Sequence, residues 1–226
     1  MSTNKLLARL SRADAQLLER HLSPIELPVR KQLQAANRRV ERIYFPESGI
    51  ASIVSNGTNP IEVGMIGRDG MTGASVVLGN GDRAPHEIYM QIAGKGVHLP
   101  ADRLREAIAK SVTLHHVLLR YVHDFLTQTT QTAMANGRGK IEERLARWLL
   151  MAQDRVDGNE LKLTHEFLPV MLGVRRSGML ARSAFVHWSE ADLAAGSAAA
   201  AAVARQLLGL DGRSRSIPES GKERPS

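Results

Sequence analysis

The feature that most constrains the fold of this chain is a change of hydrophobic period near residue 101. Between residues 25 and 99, apolar residues come in short bursts, such as residues 50–54, and turn-forming residues separate the bursts. Many short strands joined by polar, glycine-containing turns are typical of an antiparallel roll or sandwich. After residue 101, apolar residues recur at helical spacing. The sequence therefore predicts an α+β chain, with an N-terminal antiparallel β-roll of jelly-roll type followed by helices.

Composition narrows the class of protein. The 226 residues carry a formal net charge of +7, and a basic balance favours polyanions such as nucleic acid. The chain has no cysteine, which excludes a disulfide framework, a thiolate-bound iron–sulfur cluster and a cysteine nucleophile. We see no signal peptide, and no stretch approaches the roughly 20 apolar residues that span a bilayer. We therefore expect a cytoplasmic protein without a membrane partner.

A long helix is predicted from about Val112 to Ala135, ending at Asn136-Gly137, because this step is a good helix stop. One apolar stripe follows the helical repeat along it. The stripe consists of Leu114, Val117, Leu118, Tyr121, Val122 and Phe125. It can pack on the chain's own sheet, or it can pair with the same helix of a second subunit. We assign it as a candidate dimer interface.

Residues 164–177 have the pattern of two short helices joined by a turn. Thr164 is placed to cap the first helix, Gly173 to take the turn, and Arg175 and Arg176 to begin the second helix. A helix that enters the major groove presents its first residues to base edges, and arginine binds guanine O6 and N7 through two hydrogen bonds. The alternative is a pair of packed surface helices with an unrelated arginine pair.

In this arrangement, residues 5–180 resemble the Crp/Fnr family of bacterial regulators, which join a β-roll sensor domain, a long dimerisation helix and a C-terminal winged helix-turn-helix. The most specific part is residues 136–150, which look like the family's hinge and first helix of the DNA-binding domain. The resemblance implies that Thr164 contacts phosphate and that Arg176 contacts a base. The implied DNA-binding set is Thr164, His165, Arg175, Arg176, Ser177 and Arg182.

The resemblance also implies domain limits. The β-roll sensor is expected at residues 1–110, the dimerisation helix at 111–137, and the helix-turn-helix domain, apparently truncated and incompletely winged, at 138–186. An alanine-rich and polar tail at 187–226 is expected to be partly disordered.

The sequence departs from the family at the cyclic-nucleotide pocket, where the family uses a Gly-Glu pair and an Arg-Ser or Arg-Thr pair. The corresponding loop here has Arg68 at the glutamate position, and no Arg-Ser pair follows Arg83. We therefore do not expect a response to cyclic AMP. Gly67, Arg68, Gly70 and Arg83 remain a candidate effector pocket for an anion, and the alternative is a tight turn between strands.

The C-terminus departs from the family as well. Pro169 removes a backbone hydrogen bond if Thr164 caps its helix, and Gly178 is a poor residue for the second helix. Beyond Arg182 the resemblance ends, and no Gly-Leu-Ile strand or β-wing follows. We interpret the C-terminus as atypical or frame-shifted.

No constellation of residues predicts an enzyme, a metal site or a cofactor. The chain lacks a Gly-x-Ser-x-Gly elbow, a phosphate loop and a His-Glu-x-x-His motif. His116 and His123 share a helix face, but seven residues rise about 10.5 Å, too far for one ion between them. We expect no catalytic residue, no metal and no cofactor.

The sequence thus predicts a homodimeric transcription regulator of Crp/Fnr type that binds a near-palindromic operator through its helix-turn-helix. Its expected partners are double-stranded DNA, a second copy of the chain, RNA polymerase and an effector of unknown identity. The alternative is a dimeric β-roll sensor or interaction protein that has lost sequence-specific DNA binding. A β-roll enzyme acting on a small molecule is a weaker third alternative.

Overall fold

The computed structural model describes residues 2–58, 60–79, 83–156, 160–163, 167–172, 184–187 and 196–208. The N-terminal part is the predicted antiparallel β-roll, built from two sheets. One sheet has the strand order β1-β7-β3 and the other β2-β6-β4-β5. The strands are β1 (Ser23–Leu27), β2 (Gln32–Gln34), β3 (Arg42–Pro46), β4 (Ile50–Val54), β5 (Glu62–Ile66), β6 (Glu87–Ile92) and β7 (Gly94–Pro100).

Strand β4 shows why the apolar bursts become strands. All five of its residues are buried, because the four-stranded sheet is covered on both faces. Side chains alternate along a strand, so Ala51 and Ile53 pack in the interior of the roll, whereas Ile50 packs with the C-terminal helices on the opposite face. Ser52 is 1% exposed and lies on that second face. A polar residue is therefore buried between the sheet and the helices.

Helices cover the three-stranded sheet. Their core joins Phe45 of β3 and Leu99 of β7 to Leu104, Leu114 and Leu118. The helices of the roll and its extension are α1 (Arg12–Glu19), α2 (Ala74–Val77), α3 (Ala101–Lys110) and α4 (Val112–Arg138), with a 3-10 turn at Leu7–Arg9.

Helix α4 continues through Asn136-Gly137, where the sequence predicted its end. The Asn136 side chain donates a hydrogen bond to the carbonyl oxygen of Glu62, which is 3.4 Å away. The helix ends at Gly139, whose backbone is extended and whose N–H group bonds to the carbonyl oxygen of Ala135. The helix therefore ends close to the predicted stop, at Arg138.

The C-terminal part contains α5 (Ile141–Gln153), β8 (Glu160–Leu163), α6 (Leu168–Leu172), β9 (Ala184–His187) and α7 (Ser197–Leu207). The helical core of this part includes Leu145 and Leu149 of α5, and Ile50 and Met65 of the roll pack against it. Strands β8 and β9 pair antiparallel. The helix predicted within residues 136–150, after the hinge, is present and begins at Ile141.

Three features of the C-terminal part differ from the sequence-based description. The α-helix α6 begins at Leu168, so Pro169 lies in its first turn, where the missing N–H group breaks no helical bond. The alanine-rich segment forms α7, and Ala200 and Ala204 are fully buried in the core with α5. Strand β9 lies beyond Arg182, where no strand was predicted. Within the described ranges, no helix is long and apolar enough to cross a membrane.

Candidate functional site

The predicted dimer stripe packs largely inside its own chain. Leu114 and Leu118 are fully buried in the helical core over the three-stranded sheet. Val117, Tyr121 and Val122 pack against the same core, and Phe125 packs against the interior of the roll. This placement corrects the predicted interface for Leu114 and Leu118, because their side chains are already covered. A stripe at helical spacing does not reveal which surface covers it.

Helix α4 exposes a second set of apolar side chains on its other side. Val112 is 70% exposed, Leu126 62% and Met134 50%. Val112, Leu119 and Leu126 stand seven residues apart, which is the repeat of a coiled-coil seam, and the half-buried Leu119 also packs against the inner core. This face of α4, which we call the outer face, leaves large apolar groups in water within a single chain.

The glycine loop of the candidate effector pocket is packed against helices. A Cβ atom on Gly67 would lie 2.8 Å from side-chain carbons of Arg155, and one on Gly70 would lie 2.7 Å from the Tyr121 hydroxyl oxygen. The Tyr121 hydroxyl donates to the carbonyl oxygen of Met71 at 2.7 Å. The two glycines therefore permit the close approach of α4 and of the segment after α5.

Ionic contacts join the same loop to the end of α5. Arg155 forms a salt bridge of 2.9 Å with Asp69, and its side chain is only 11% exposed. Arg68 donates to the carbonyl oxygen of Val156 at 3.3 Å. The residues assigned to an anion thus contact the C-terminal part of the chain itself.

Arg83, the fourth residue of that candidate pocket, lies elsewhere. Its guanidinium donates to the carbonyl oxygen of Asn37 at 2.8 Å, and it lines a cavity of about 710 Å³ together with Arg38, Arg42 and Tyr44. Gly70 lines a different cavity, of about 410 Å³, beside α4 and α5. Arg83 and Gly70 therefore line different cavities, and one effector pocket formed by Gly67, Arg68, Gly70 and Arg83 stays a prediction.

A buried polar network joins the roll to α5. Glu62 of β5 is 3% exposed, and its Oε1 accepts a hydrogen bond of 2.7 Å from Nε1 of Trp148. Its Oε2 lies 2.6 Å from the hydroxyl oxygen of Ser52, which also contacts Oε1 of Gln91. Burial raises the pKa of Glu62 to about 7, against the opposing effect of the hydrogen bonds from Ser52 and Trp148. A carboxyl group with a raised pKa is thus held between the roll and the following helix.

Sequence reasoning missed this network. Glu62 interrupts an otherwise apolar run at residues 61–66, and a lone acidic residue in a strand usually faces solvent. Its buried partner Trp148 lies 86 residues away along the chain. The available signal was that both faces of this sheet needed cover, since β4 carries no clear polar face.

The predicted DNA-binding residues Thr164, His165, Arg175, Arg176, Ser177 and Arg182 all lie outside the described residues. Elements on either side of them are described. Helix α5 begins after Lys140, whose backbone N–H group bonds to Glu143 at 2.9 Å and closes the first turn. Helix α6 is anchored in the core by Leu168 and Leu172, which are 1% and 0% exposed.

The chain is similar to known proteins in its three-dimensional structure. No family model and no curated protein matches the chain. The global regulator CLP of Xanthomonas campestris, described as c-di-GMP-responsive, superposes with a TM-score of 0.61 at 15% identity, over 79% of this chain and 100% of CLP. FixK2 from Bradyrhizobium japonicum gives 0.61 at 14% identity, over 77% of this chain and 96% of FixK2. A protein of Eubacterium rectale assigned to the Crp/Fnr family of transcriptional regulators gives 0.63 at 16% identity, over 85% and 97%.

This chain has the Crp/Fnr fold. The likeness extends through the roll, the long helix and much of the C-terminal part, so it is more than a shared β-roll. Within this Crp/Fnr-like fold, polar contacts between the roll and the segment after α4 include the Glu62–Trp148 bond, the Arg155–Asp69 salt bridge and the bond from Arg68 to Val156. They lie at the junction between the roll and the C-terminal part.

Proposed function

We propose that this protein is a homodimeric, DNA-binding transcription regulator of Crp/Fnr type. The observation that supports this most directly is the order of parts. A β-roll, a helix of 27 residues and a further helical part follow one another, as in regulators whose whole or nearly whole length is matched. The net charge of +7 suits a DNA partner. We place the protein in the cytoplasm, with RNA polymerase as a further partner at promoters.

We propose that two copies associate through the outer face of α4. Val112, Leu126 and Met134 are exposed in the single chain, and an apolar seam repeated every seven residues is covered when two parallel helices pair. A two-fold dimer presents two recognition helices about one turn of DNA apart, so it binds a near-palindrome.

We propose that cyclic AMP is not the effector. The glycine loop is already filled, since Arg155 packs on Gly67 and Tyr121 packs on Gly70. A carboxylate, Asp69, also lies beside the loop and forms the salt bridge to Arg155. A cyclic phosphate would have to displace these contacts and approach a negative charge.

Selection from a random DNA library tests the proposal without knowledge of the operator. The full-length protein is incubated with random duplexes, and bound DNA is recovered, amplified and sequenced over several rounds. We expect a near-palindrome with half-sites about 10 base pairs apart from centre to centre. Recovery of sequences without any common element would contradict sequence-specific binding.

The arginine at position 176 gives a sharper test. If Arg176 contacts a guanine, Arg176→Ala weakens binding to the selected site by about 1–3 kcal/mol and relaxes the preference at one position of each half-site. Arg103→Ala is a control, because Arg103 is an exposed residue of α3 paired with Glu106. Equal losses on selected and random DNA would assign Arg176 to the phosphate backbone instead.

A second candidate function is a dimeric sensor that no longer recognises a DNA sequence. The observation in its favour concerns the helices of the C-terminal part. Helix α6 has only five residues, and the alanine-rich α7 packs into the core against α5. In that case the selection experiment returns no site, while the dimer persists in solution.

A further inference from the structure

The carboxyl group of Glu62 is buried where the roll meets α5, as described above. On one side it contacts Ser52 of β4, which in turn contacts Gln91 of β6, and on the other side it contacts Trp148 of α5. Because the indole N–H of Trp148 donates to Oε1, this hydrogen bond is a direct link between the roll and the first helix after α4. Its strength depends on the charge that the carboxyl group carries.

Counting hydrogens relates the direction of this network to the charge of the carboxyl group. The Ser52 hydroxyl has one hydrogen but lies against two acceptor oxygens, Oε2 of Glu62 and Oε1 of Gln91. With a proton on Glu62, the chain is complete, since Glu62 donates to Ser52 and Ser52 donates to Gln91. An ionised Glu62 requires the opposite direction, with Gln91 turned so that Nε2 donates to Ser52. Turning the Gln91 amide would give its buried Nε2, which has no partner among the described residues, a bond to Ser52, so the two amide orientations correspond to the two charge states, and the orientation with Oε1 toward Ser52 corresponds to the protonated form.

Burial favours the same form. Ionising a carboxyl group away from water is costly unless cations and donors compensate, and Glu62 has only the hydrogen bonds from Ser52 and Trp148. These bonds favour the ionised form, but desolvation outweighs them, and the pKa of Glu62 rises to about 7. A group with such a pKa changes its charge in the physiological range.

The charged groups around Glu62 come from α5. Arg144 and Arg147 line a small cavity with Glu62, and the neighbouring side chains from α4 and α6, Thr132, Asn136 and Met171, are neutral. Arg144 donates to the carbonyl oxygens of Asn136 and Leu172. Nε of Arg147 is buried without a partner, and burial, then the charge of Arg155, lower the pKa of Arg147.

Arg147 and Trp148 are consecutive residues, so they point about 100° apart around the helix. A negative Glu62 attracts the guanidinium of Arg147, which lines the same small cavity as Trp148, so Arg147 then competes with the indole N–H group for the carboxylate. When Glu62 is protonated, it accepts the hydrogen bond from Trp148 and does not attract Arg147.

We propose that Glu62 is a proton-binding site that makes the packing of α5 against the roll sensitive to pH near neutrality. When the pH rises, the O–H bond of the Glu62 carboxyl group breaks, its electron pair stays on the carboxylate, and the proton passes to water. The hydrogen-bonded chain through Ser52 reverses, Arg147 is drawn toward the new charge, and α5 shifts. The protein thereby gains a pH-sensing function that is independent of the proposed DNA binding.

Infrared difference spectroscopy on the unmodified full chain tests the first step. A neutral carboxyl group has a C=O stretch separate from that of carboxylates, and exposed glutamates near their ordinary pKa of about 4.3 are already ionised at neutral pH. We expect one neutral-carboxyl band that disappears as the pH rises through neutrality. Its absence on the acidic side of neutrality would overturn the proposal.

Fluorescence tests the link to α5. The chain has two tryptophans, so Trp188→Phe leaves Trp148 as the sole reporter. We expect its emission to titrate with the midpoint of the infrared band. Titration of the band without any change in emission would mean that Glu62 ionises but does not move α5, and it would overturn the proposed switch.

Three variants identify the group. Glu62→Gln keeps both hydrogen bonds but cannot ionise, so both titrations should disappear. Glu26→Gln, at an exposed glutamate of β1, should leave both unchanged. Trp148→Phe removes a donor that favours the ionised form, so the infrared midpoint should move to higher pH, and this result does not depend on whether Glu62→Gln folds. A band that persists in Glu62→Gln, or that moves to lower pH in Trp148→Phe, would contradict the assignment.

Discussion

At the scale of single residues, the pKa values of two buried carboxyl groups are shifted in opposite directions. Asp14 of α1 accepts hydrogen bonds from the hydroxyls of Ser111, Ser11 and Thr113. These bonds, that of Ser111 most of all, lower the pKa of Asp14 below its ordinary value of 3.8, against the effect of burial. Glu62 has fewer donors and deeper burial, so its pKa is raised. The balance between hydrogen-bond donors and desolvation sets the direction.

Asp14 joins the start of α1 to the start of α4, and replacing it should weaken both. We expect Asp14→Asn to lower the free energy of unfolding at neutral pH by about 1–3 kcal/mol, because an amide nitrogen would face hydroxyl donors. In the wild type this contribution is present above pH 3.8 and is lost as the pH falls through the lower folded-state pKa. Urea unfolding at several pH values measures it. Asp102→Asn, at an exposed residue of α3, is the control, and equal effects of the two variants would refute the role of Asp14.

For Glu62 we expect the free energy of unfolding to change with pH in the opposite direction. Its folded-state pKa of about 7 exceeds the ordinary value of 4.5, so its contribution to stability is full below pH 4.5 and is lost as the pH rises to about 7. The shift corresponds to a loss of about 3 kcal/mol. We expect Glu62→Gln to lack this loss in urea unfolding and to exceed the wild type in stability above neutral pH. Parallel pH profiles of the two proteins would show that Glu62 is ionised in the folded chain.

At the scale of elements, helix α4 has two apolar faces, one buried and one exposed in the single chain. The inner face, with Leu114 and Leu118, completes the core of the roll, whereas the outer face leaves Leu126 exposed. Leu126→Glu places a charge in the proposed seam at a cost of about 3 kcal/mol, which raises the dimer Kd roughly 100-fold or more. Light scattering at micromolar concentration should then report the mass of one chain. Gln131→Glu, at an exposed position off the seam, should remain a dimer, and an unchanged mass for Leu126→Glu would exclude this face.

Elements also show how far sequence patterns determine structure. The apolar bursts predicted most strands correctly, but β2 was missed because Gln32-Leu33-Gln34 has a single apolar residue. The end of α4 at Arg138 lies close to its predicted stop. Local propensity describes an isolated segment, whereas β2 is held by its pairing with the distant strand β6.

At the scale of the whole molecule, the same limit applies to the site. The order of roll, long helix and helical C-terminal part followed from the sequence and from its resemblance to Crp/Fnr regulators. The contacts at the junction did not follow, because burial of Glu62 depends on Trp148 and that of Arg155 on Asp69. Such pairs between distant segments leave no local pattern. The sequence also did not indicate that Gly70 and Arg83, which were predicted to share a pocket, line different cavities.

Sequence-specific DNA binding by the whole dimer is the central claim, and competition fluorescence anisotropy tests it most directly. The full-length protein is titrated onto labelled duplex DNA from upstream of its own gene, with excess random DNA as competitor and at increasing salt. We predict that binding survives the competitor and loses affinity with salt, as expected for base contacts supported by phosphate contacts. Binding that disappears with competitor and salt alike would show that only the charge of +7 attracts DNA, and it would contradict the assignment as a regulator.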